Sequence, residues 1–239
     1  MRSIVCIPTF NERENILRMI DAVHAVVPDT HVLVIDDGSP DGTSQLVAEH
    51  RATDERVHLI TRSGKLGLGT AYCAGFAYAL EQGFELILQM DADFSHDPKD
   101  LLRLLEDIAN HDLVIGSRYI QGVNVINWPM SRLLLSWFAN LYTRVITGMP
   151  VADATGGFKC FRSDVLRKID LTKIRSNGYA FQIEMNYKAW RSGARVHEIP
   201  IIFMDRVHGV SKMSKNIVYE AAFLVWKLKL TTIFTFGRS

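Results

Sequence analysis

Leu86-Ile87-Leu88-Gln89-Met90-Asp91-Ala92-Asp93 is the stretch on which the fold turns. Residues 86–90 form an apolar run of strand length, and the run breaks into two carboxylates two residues apart. Two carboxylates at a turn leaving a strand can hold a hard divalent cation. Mg²⁺ and Mn²⁺ prefer oxygen ligands and commonly take one or two carboxylates plus phosphate oxygens. The same pattern also fits an Asp cap in a solvated turn. What favours the metal is the position, after a buried strand in a chain that alternates strand and helix.

That alternation extends in both directions. Residues 3–7, 32–35, 57–61 and 112–116 read as further strands, and residues 11–26, 43–50, 70–81 and 98–109 as the helices between. In the first helix Ile16, Leu17, Ile20, Val23 and Val27 recur at helical spacing. Strands that are apolar throughout, separated by helices, imply an α/β fold with a mostly parallel sheet covered on both faces. Ligands in such sheets bind beyond the carboxyl ends of the strands. The polar clusters fall there: residues 8–12, 36–41, 62–69, 91–97 and Ser117-Arg118. Five loops on one edge make one site.

Asp36-Asp37-Gly38-Ser39-Pro40-Asp41-Gly42-Thr43 is in part a turn feeding a helix. Two adjacent carboxylates repel unless one has a donor partner, and a ribose hydroxyl or base N–H on Asp37 would serve. Gly64-Lys65-Leu66-Gly67-Leu68-Gly69 lacks the third glycine of a dinucleotide fingerprint. No Ser or Thr follows Lys65, so a Walker A loop is excluded as well. Arg62 and Lys65 instead read as phosphate-side cations before a helix N-terminus.

The second half is less regular. Residues 131–147 form a helix apolar almost all round, 151–161 a loop and short strand, 180–191 a helix, 195–203 a strand, and 216–228 a helix. The expected organisation is a catalytic domain over 1–210 with an amphipathic, interfacial extension over 211–239. For the 131–147 helix both a core position and a membrane-facing one are open. The 216–228 helix, with Phe223 and Trp226 and with Lys215, Lys227 and Lys229 close by, leans to an anionic lipid surface.

Composition narrows the function classes. The 239 residues carry 27 Lys+Arg and 26 Asp+Glu, a formal charge of +1, which argues against a nucleic-acid binder acting through a basic field. The 3 cysteines, Cys6, Cys73 and Cys160, form no CxxC pair, so reduced buried thiols are expected rather than a zinc site or disulfides. The N-terminus does not read as a signal peptide, and no stretch reaches the about 18 apolar residues of a spanning helix. A cytoplasmic protein, peripheral on the cytosolic face of a membrane, is the expectation.

Four first-half segments carry a resemblance: residues 7–12 (IPTFNE), 36–43 (DDGSPDGT), 64–71 (GKLGLGTA) and 90–93 (MDAD). They resemble the inverting GT-A glycosyltransferases of family 2. Gly116-Ser117-Arg118-Tyr119, Trp128 with Arg132, Thr155-Gly156-Gly157-Phe158, and Arg206 before Gly209-Val210-Ser211-Lys212 are similar to its dolichyl/polyprenyl-phosphate mannose synthase branch. The resemblance implies a GT-A fold, Rossmann-like, and transfer of mannose from GDP-mannose to a polyprenyl phosphate. It implies that Pro8, Thr9, Glu12 and Asp37 hold the nucleoside. Phe10 stands beside them where some members carry Tyr, without that hydroxyl, and Lys65 lies on the phosphate side. Asp91 and Asp93 would bind Mg²⁺ or Mn²⁺. Ser95 would be a third metal ligand, directly or through water, where some members carry Gln. Arg118, Arg132 and Arg206, with Lys212, would cradle the acceptor phosphate and the departing diphosphate.

The chemistry is compatible. A phosphate monoester is anionic at neutral pH, with a second pKa of about 6, and needs positioning rather than a general base. Arg suits that task through bidentate contact. His96 and His208 read as loop histidines, and Asp153 and Glu184 are the carboxylates that a hydroxyl acceptor would call on. Three other readings stay open: a synthase using UDP-glucose, a transferase with a saccharide acceptor, and a non-catalytic sugar-nucleotide-binding subunit. Partners expected are the sugar nucleotide, the lipid phosphate, a membrane surface and, compatibly, a membrane-anchored protein.

Overall fold

A computed structural model of the chain describes residues 1–204 and 222–230. The first half alternates as expected: β1 (Ser3–Thr9), α1 (Ile16–Val26), β2 (His31–Asp36), α2 (Thr43–Arg51), β3 (Val57–Thr61), α3 (Leu68–Glu81), β4 (Leu86–Gln89), α4 (Asp100–Asp107) and β5 (Leu113–Ser117). There follow β6 (Val125–Ile126), α5 (Met130–Thr147), β7 (Lys159–Arg162), α6 (Ser163–Arg167), α7 (Gly178–Arg191), β8 (Val196–Pro200) and β9 (Phe203–Met204). Residues 222–230 are helical. The expected boundary at 210/211, and residues 216–221 of the last expected helix, lie outside the described residues.

The main sheet runs β3-β2-β1-β4-β7-β5-β8. All its pairings are parallel except those of β7, which is antiparallel to both β4 and β5. The chain order reverses at β1, which lies between β2 and β4. The loops after β1 and β4 are therefore neighbours across the crevice where such sheets bind ligands.

Strand composition follows from double coverage. Along β1, Ile4 and Cys6 enter one apolar cluster while Val5 and Ile7 enter the other. Alternate side chains point to opposite faces, so a strand buried on both sides must be apolar throughout. Each fully buried aliphatic side chain contributes about 1.5–3 kcal/mol. The α1 stripe Ile16, Met19, Ile20 and Val23 closes one face together with Leu101 and Leu104 of α4. On the other face α3 sits close to the sheet: a Cβ on Gly75 would meet Ile35 Cδ1 at 3.0 Å.

Two expectations are corrected. The first helix begins at Ile16, not residue 11, because Asn11 has a φ of 62° and the backbone N–H groups of Asn15 and Ile16 both donate to the Glu12 carbonyl. That turn presents residues 10–12 at the sheet edge instead of winding them into the helix. The expected strand over 195–203 is two, because β8 ends at Pro200 and β9 pairs separately with β6. The thiols of Cys6 and Cys160 are buried and all three cysteines are unpaired.

Candidate active site

At the carboxyl edge of β4, Asp91 and Asp93 are held by the chain itself. Tyr72 donates its hydroxyl to the Met90 carbonyl (3.2 Å) and to Asp91 Oδ1 (3.3 Å). Ser95 donates its backbone N–H (3.0 Å) and its hydroxyl (2.6 Å) to Asp93 Oδ1. The hydroxyl hydrogen of Ser95 thus orients Asp93, and only its lone pairs could face a cation. His96 is buried, stacked on Phe158 at 5.0 Å, with Nδ1 accepting from the Asp91 N–H at 3.4 Å. It is a loop histidine, as expected, but a packed one, and burial lowers its pKa. The donor set of two carboxylates and a hydroxyl is all oxygen and fits Mg²⁺ or Mn²⁺.

Beside it lies the end of β2. Asp36 accepts from Thr9 Oγ1 (2.9 Å), Ser39 N (2.9 Å) and Ser39 Oγ (2.6 Å). Asp37 forms an ion pair with Arg62 at 2.8 Å and accepts from the Leu66 N–H at 3.2 Å. The adjacent carboxylates thus find their donors within the protein, so their repulsion does not by itself require a ligand. Arg62 also donates to Thr70 Oγ1 at 2.6 Å. Lys65 lies over the Phe10 ring at 4.4 Å. Glu12 is anchored through its N–H to Thr43 Oγ1 (3.1 Å) and accepts from Asn15 Nδ2 (2.9 Å). Pro8, Thr9, Phe10, Glu12, Asp37 and Lys65 therefore fall at or just after the carboxyl ends of β1, β2 and β3, which neighbour one another in the sheet.

The other side is built around Arg118, at the end of β5. Its Nε and Nη2 make a bidentate pair with Asp153 (2.7 and 2.6 Å), its N–H donates to Asp153 Oδ2 (2.9 Å), and Nη2 reaches Thr155 Oγ1 (2.8 Å). Burial opposes charge on Asp153, yet the guanidinium holds its carboxyl below the usual range. Asp153 is therefore locked to an arginine and not placed to take a proton. Glu184 is bound to the Ser176 hydroxyl and to Lys188 (2.8 Å). The Arg118 charge is balanced by Asp153, and Nη1 is the nitrogen left to meet a ligand. Its guanidinium and that of Arg132 approach the same Trp128 ring, at 5.4 and 4.1 Å. Arg206, Lys212 and His208 lie outside the described residues.

The loop carrying Asp153 is strapped from three sides. Glu198 accepts the N–H groups of Ala152 (2.6 Å) and Asp153 (2.8 Å), Asn140 Oδ1 accepts from Thr155 N (3.2 Å), and Asn186 donates to the Ala154 carbonyl (3.0 Å). This explains α5. Its buried residues are Asn140, Thr143 and Thr147, while Leu134, Trp137 and Phe138 are exposed. The helix turns its polar side inward and its apolar side outward. Between α5, α7 and residues 222–230 is a cavity of about 320 Å³, lined by apolar side chains with Trp128, Arg132 and Thr155 among its walls.

A third group lies elsewhere. Asp107, His111 and His197 bring a carboxylate oxygen and two imidazole nitrogens within 4.8 Å of one another. They sit where β5 and β8 begin, at the opposite sheet edge from Asp91 and Asp93. Both Nδ1 atoms contact Asp107 Oδ2 (3.0 and 2.7 Å), and the rings stack at 4.3 Å and 12°. The arrangement is a carboxylate bridging two imidazoles.

Sequence reasoning missed Tyr72, Gln89, Lys159 and Gln182, whose roles depend on contacts between distant elements. Lys159 is 0 % exposed, a rare place for a lysine, but nothing in the sequence of its short strand announces that burial.

Comparison with known proteins agrees with this architecture. The Mycolicibacterium smegmatis protein "Polyprenol monophosphomannose synthase" is 48% identical over 226 residues, 94% of this chain and 85% of that protein. The Micrococcus luteus "Undecaprenyl-phosphate mannosyltransferase" is 46% identical over 221 residues, 92% and 91%. Solved structures share the fold at low identity. The Mycobacterium tuberculosis glucosyl-3-phosphoglycerate synthase in complex with Mn²⁺, UDP-glucose and phosphoglyceric acid superposes with a TM-score of 0.68 at 18% identity, over 95% of this chain and 80% of that one. A Pyrobaculum calidifontis mannosyltransferase in complex with GDP-mannose and Mn²⁺ gives 0.60 at 16% identity, over 100% and 75%. Divalent cations thus accompany this fold in solved relatives. The sequence model of glycosyl transferase family 2 matches residues 4–170, and with these relatives it establishes that the chain is a glycosyltransferase belonging to that family.

Proposed function

We propose that the protein transfers mannose from GDP-mannose to a polyprenyl (dolichyl) phosphate, giving polyprenyl-phosphate β-mannose and GDP, with Mg²⁺ or Mn²⁺. The observation that carries the acceptor is the apolar cavity of about 320 Å³ with Arg132 in its wall and the Arg118–Asp153 pair next to it through Thr155. A volume of this size suits a ligand segment. An apolar chain beneath a guanidinium fits a lipid phosphate better than a saccharide. The names of the two curated relatives support mannose as the sugar.

In this reading the phosphate oxygen attacks the anomeric carbon opposite the diphosphate. One C–O bond forms, one breaks, and the electron pair leaves on the diphosphate oxygen. The configuration inverts, and no proton has to move. The cation, held by Asp91 and Asp93, supplies stabilisation of the growing charge on the leaving group. Arg132 and Arg118 Nη1 position the acceptor phosphate, while Trp128 packs against both guanidiniums.

The test incubates the protein with Mg²⁺ or Mn²⁺, a short polyprenyl phosphate, and GDP-mannose or UDP-glucose in parallel. Lipid-linked product with GDP-mannose alone is expected. Product with UDP-glucose alone would reassign the donor. Donor hydrolysis without lipid product would remove the acceptor assignment.

The protein meets its acceptor at a membrane surface, on the cytosolic face. No helix among the described residues is long and apolar enough to cross a membrane. The outward apolar side of α5 carries Leu134, Trp137 and Phe138, and residues 222–230 add Phe223 and Trp226. Tyr142 of α5 ties the two segments by donating to the Ala222 carbonyl at 3.3 Å. Replacing Trp137 and Phe138 together by Ser should weaken binding to anionic vesicles about a hundredfold and leave GDP affinity unchanged, as read by vesicle sedimentation and calorimetry. Unchanged sedimentation would point to a membrane-anchored partner as the tether.

A further inference from the structure

Lys159 of β7 is buried completely, with burial pushing its pKa well below the ordinary lysine range. Its Nζ donates to the Gln182 side-chain Oε1 at 2.8 Å and to the Gln182 carbonyl at 3.3 Å. Gln89, the cross-strand neighbour of Lys159 in the β4–β7 register, donates its Nε2 to the same Oε1 at 2.9 Å. Two donors on one amide oxygen fix which way the Gln182 amide faces, since its NH₂ could accept neither. The arrangement holds whether Lys159 is charged or neutral, because an amine keeps a hydrogen for each oxygen.

The Gln182 NH₂ therefore points away from Lys159 and Gln89, and it points at the site. A Cβ built on Gly157 would stand 3.4 Å from Gln182 Nε2, 3.8 Å from His96 Cε1 and 3.9 Å from Asp91 Oδ2. Gly157 thus leaves a small opening walled by an amide donor, an imidazole and one of the site carboxylates. Gln182 is only 3 % exposed, yet no residue of the described chain accepts from its Nε2. The amide is thus held in one orientation with its NH₂ open to the crevice, a donor pre-set for a ligand oxygen.

We propose that Gln182 reads the donor sugar: its Nε2 donates to a hydroxyl of the hexose lying over Gly157 beside Asp91, with Lys159 and Gln89 as positioning residues. This rests on the sugar-nucleotide reading above, not on the identity of the acceptor. A neutral amide suits the place, since it can donate to a hydroxyl next to Asp91 without adding a second negative charge.

The test measures binding of GDP-mannose and UDP-glucose, and of GDP and UDP, by calorimetry in Mg²⁺ buffer, for the wild type, Gln182→Met, Gly157→Ala and Lys159→Met. The sugar nucleotide should bind about tenfold more weakly to Gln182→Met, with the bare diphosphate unchanged and serving as proof of folding. Gly157→Ala, whose added methyl meets only ordinary contacts, should act in the same direction by filling the opening. Lys159→Met should reproduce the Gln182→Met loss in part, again without touching GDP. Equal loss for sugar nucleotide and bare diphosphate, or no loss for either, would overturn the assignment. The selective loss without lipid-linked product in the transfer assay would keep Gln182 and remove the acceptor reading. A wild type that binds no nucleotide at all would overturn both.

Discussion

Asp93→Ala should lower kcat/KM for sugar transfer by about a thousandfold while leaving the fold intact. The argument is local. Asp93 follows β4 at the sheet edge where the chain order reverses, and Ser95 fixes its Oδ1 with two hydrogen bonds. Removing the carboxylate deletes an oxygen ligand from a site whose other carboxylate, Asp91, is held by Tyr72. The loss of two partly buried hydrogen bonds costs about 1–3 kcal/mol, which a folded domain of this size tolerates. Steady-state rates over a range of Mg²⁺ and Mn²⁺ concentrations, with thermal melts as the fold control, provide the measurement. Asp93→Asn should sit near Ala in rate but near wild type in stability, since an amide oxygen can still accept from Ser95. Full activity in Asp93→Ala would remove the cation from the mechanism.

That site was legible in the sequence because its residues follow strands. Each of the loops after β1, β2, β3, β4 and β5 begins where an apolar run stops, and the parallel sheet carries them to one edge. Pairing between distant residues was not legible. Arg118 and Asp153 are 35 positions apart, and nothing in either neighbourhood announces that they meet. The same limit applies to β7, whose four residues enter between β4 and β5 in the reverse direction. A segment of four residues carries no mark of its direction. Helix α5 is a different failure. Its apolar residues go nearly all round, so periodicity could not say which side faces in. The answer came from Asn140, Thr143 and Thr147, small polar residues turned inward, Asn140 to hold Thr155 and the loop beside Asp153.

Asp153→Leu should cost about 3–5 kcal/mol, the largest stability effect expected of any single change in the site. Side-chain exposures of the Arg118–Asp153 pair are 5% and 0%, so removing the carboxylate leaves a guanidinium buried without its counter-charge. For a chain of this length each kcal/mol corresponds to about 2–4 °C in Tm, so the melting temperature should fall by about 10 °C. The paired change Arg118→Met with Asp153→Leu removes both charges and should recover most of that loss, because a buried pair replaced by apolar groups of similar size is close to neutral. It should not recover transfer activity, because Arg118 Nη1 would be gone. The pH dependence separates the two contributions. Burial opposes the Asp153 charge, but Arg118 draws its pKa below the unfolded value of about 4. The pair's stabilisation is therefore complete above the unfolded value and is lost as pH falls through the lower folded one. Wild-type stability should drop more steeply below about pH 4 than that of the doubly apolar variant. Parallel acid melting profiles for the two proteins would mean that the pair organises the loop without stabilising it, and would leave the Glu198, Asn140 and Asn186 contacts as what holds Arg118 at the site.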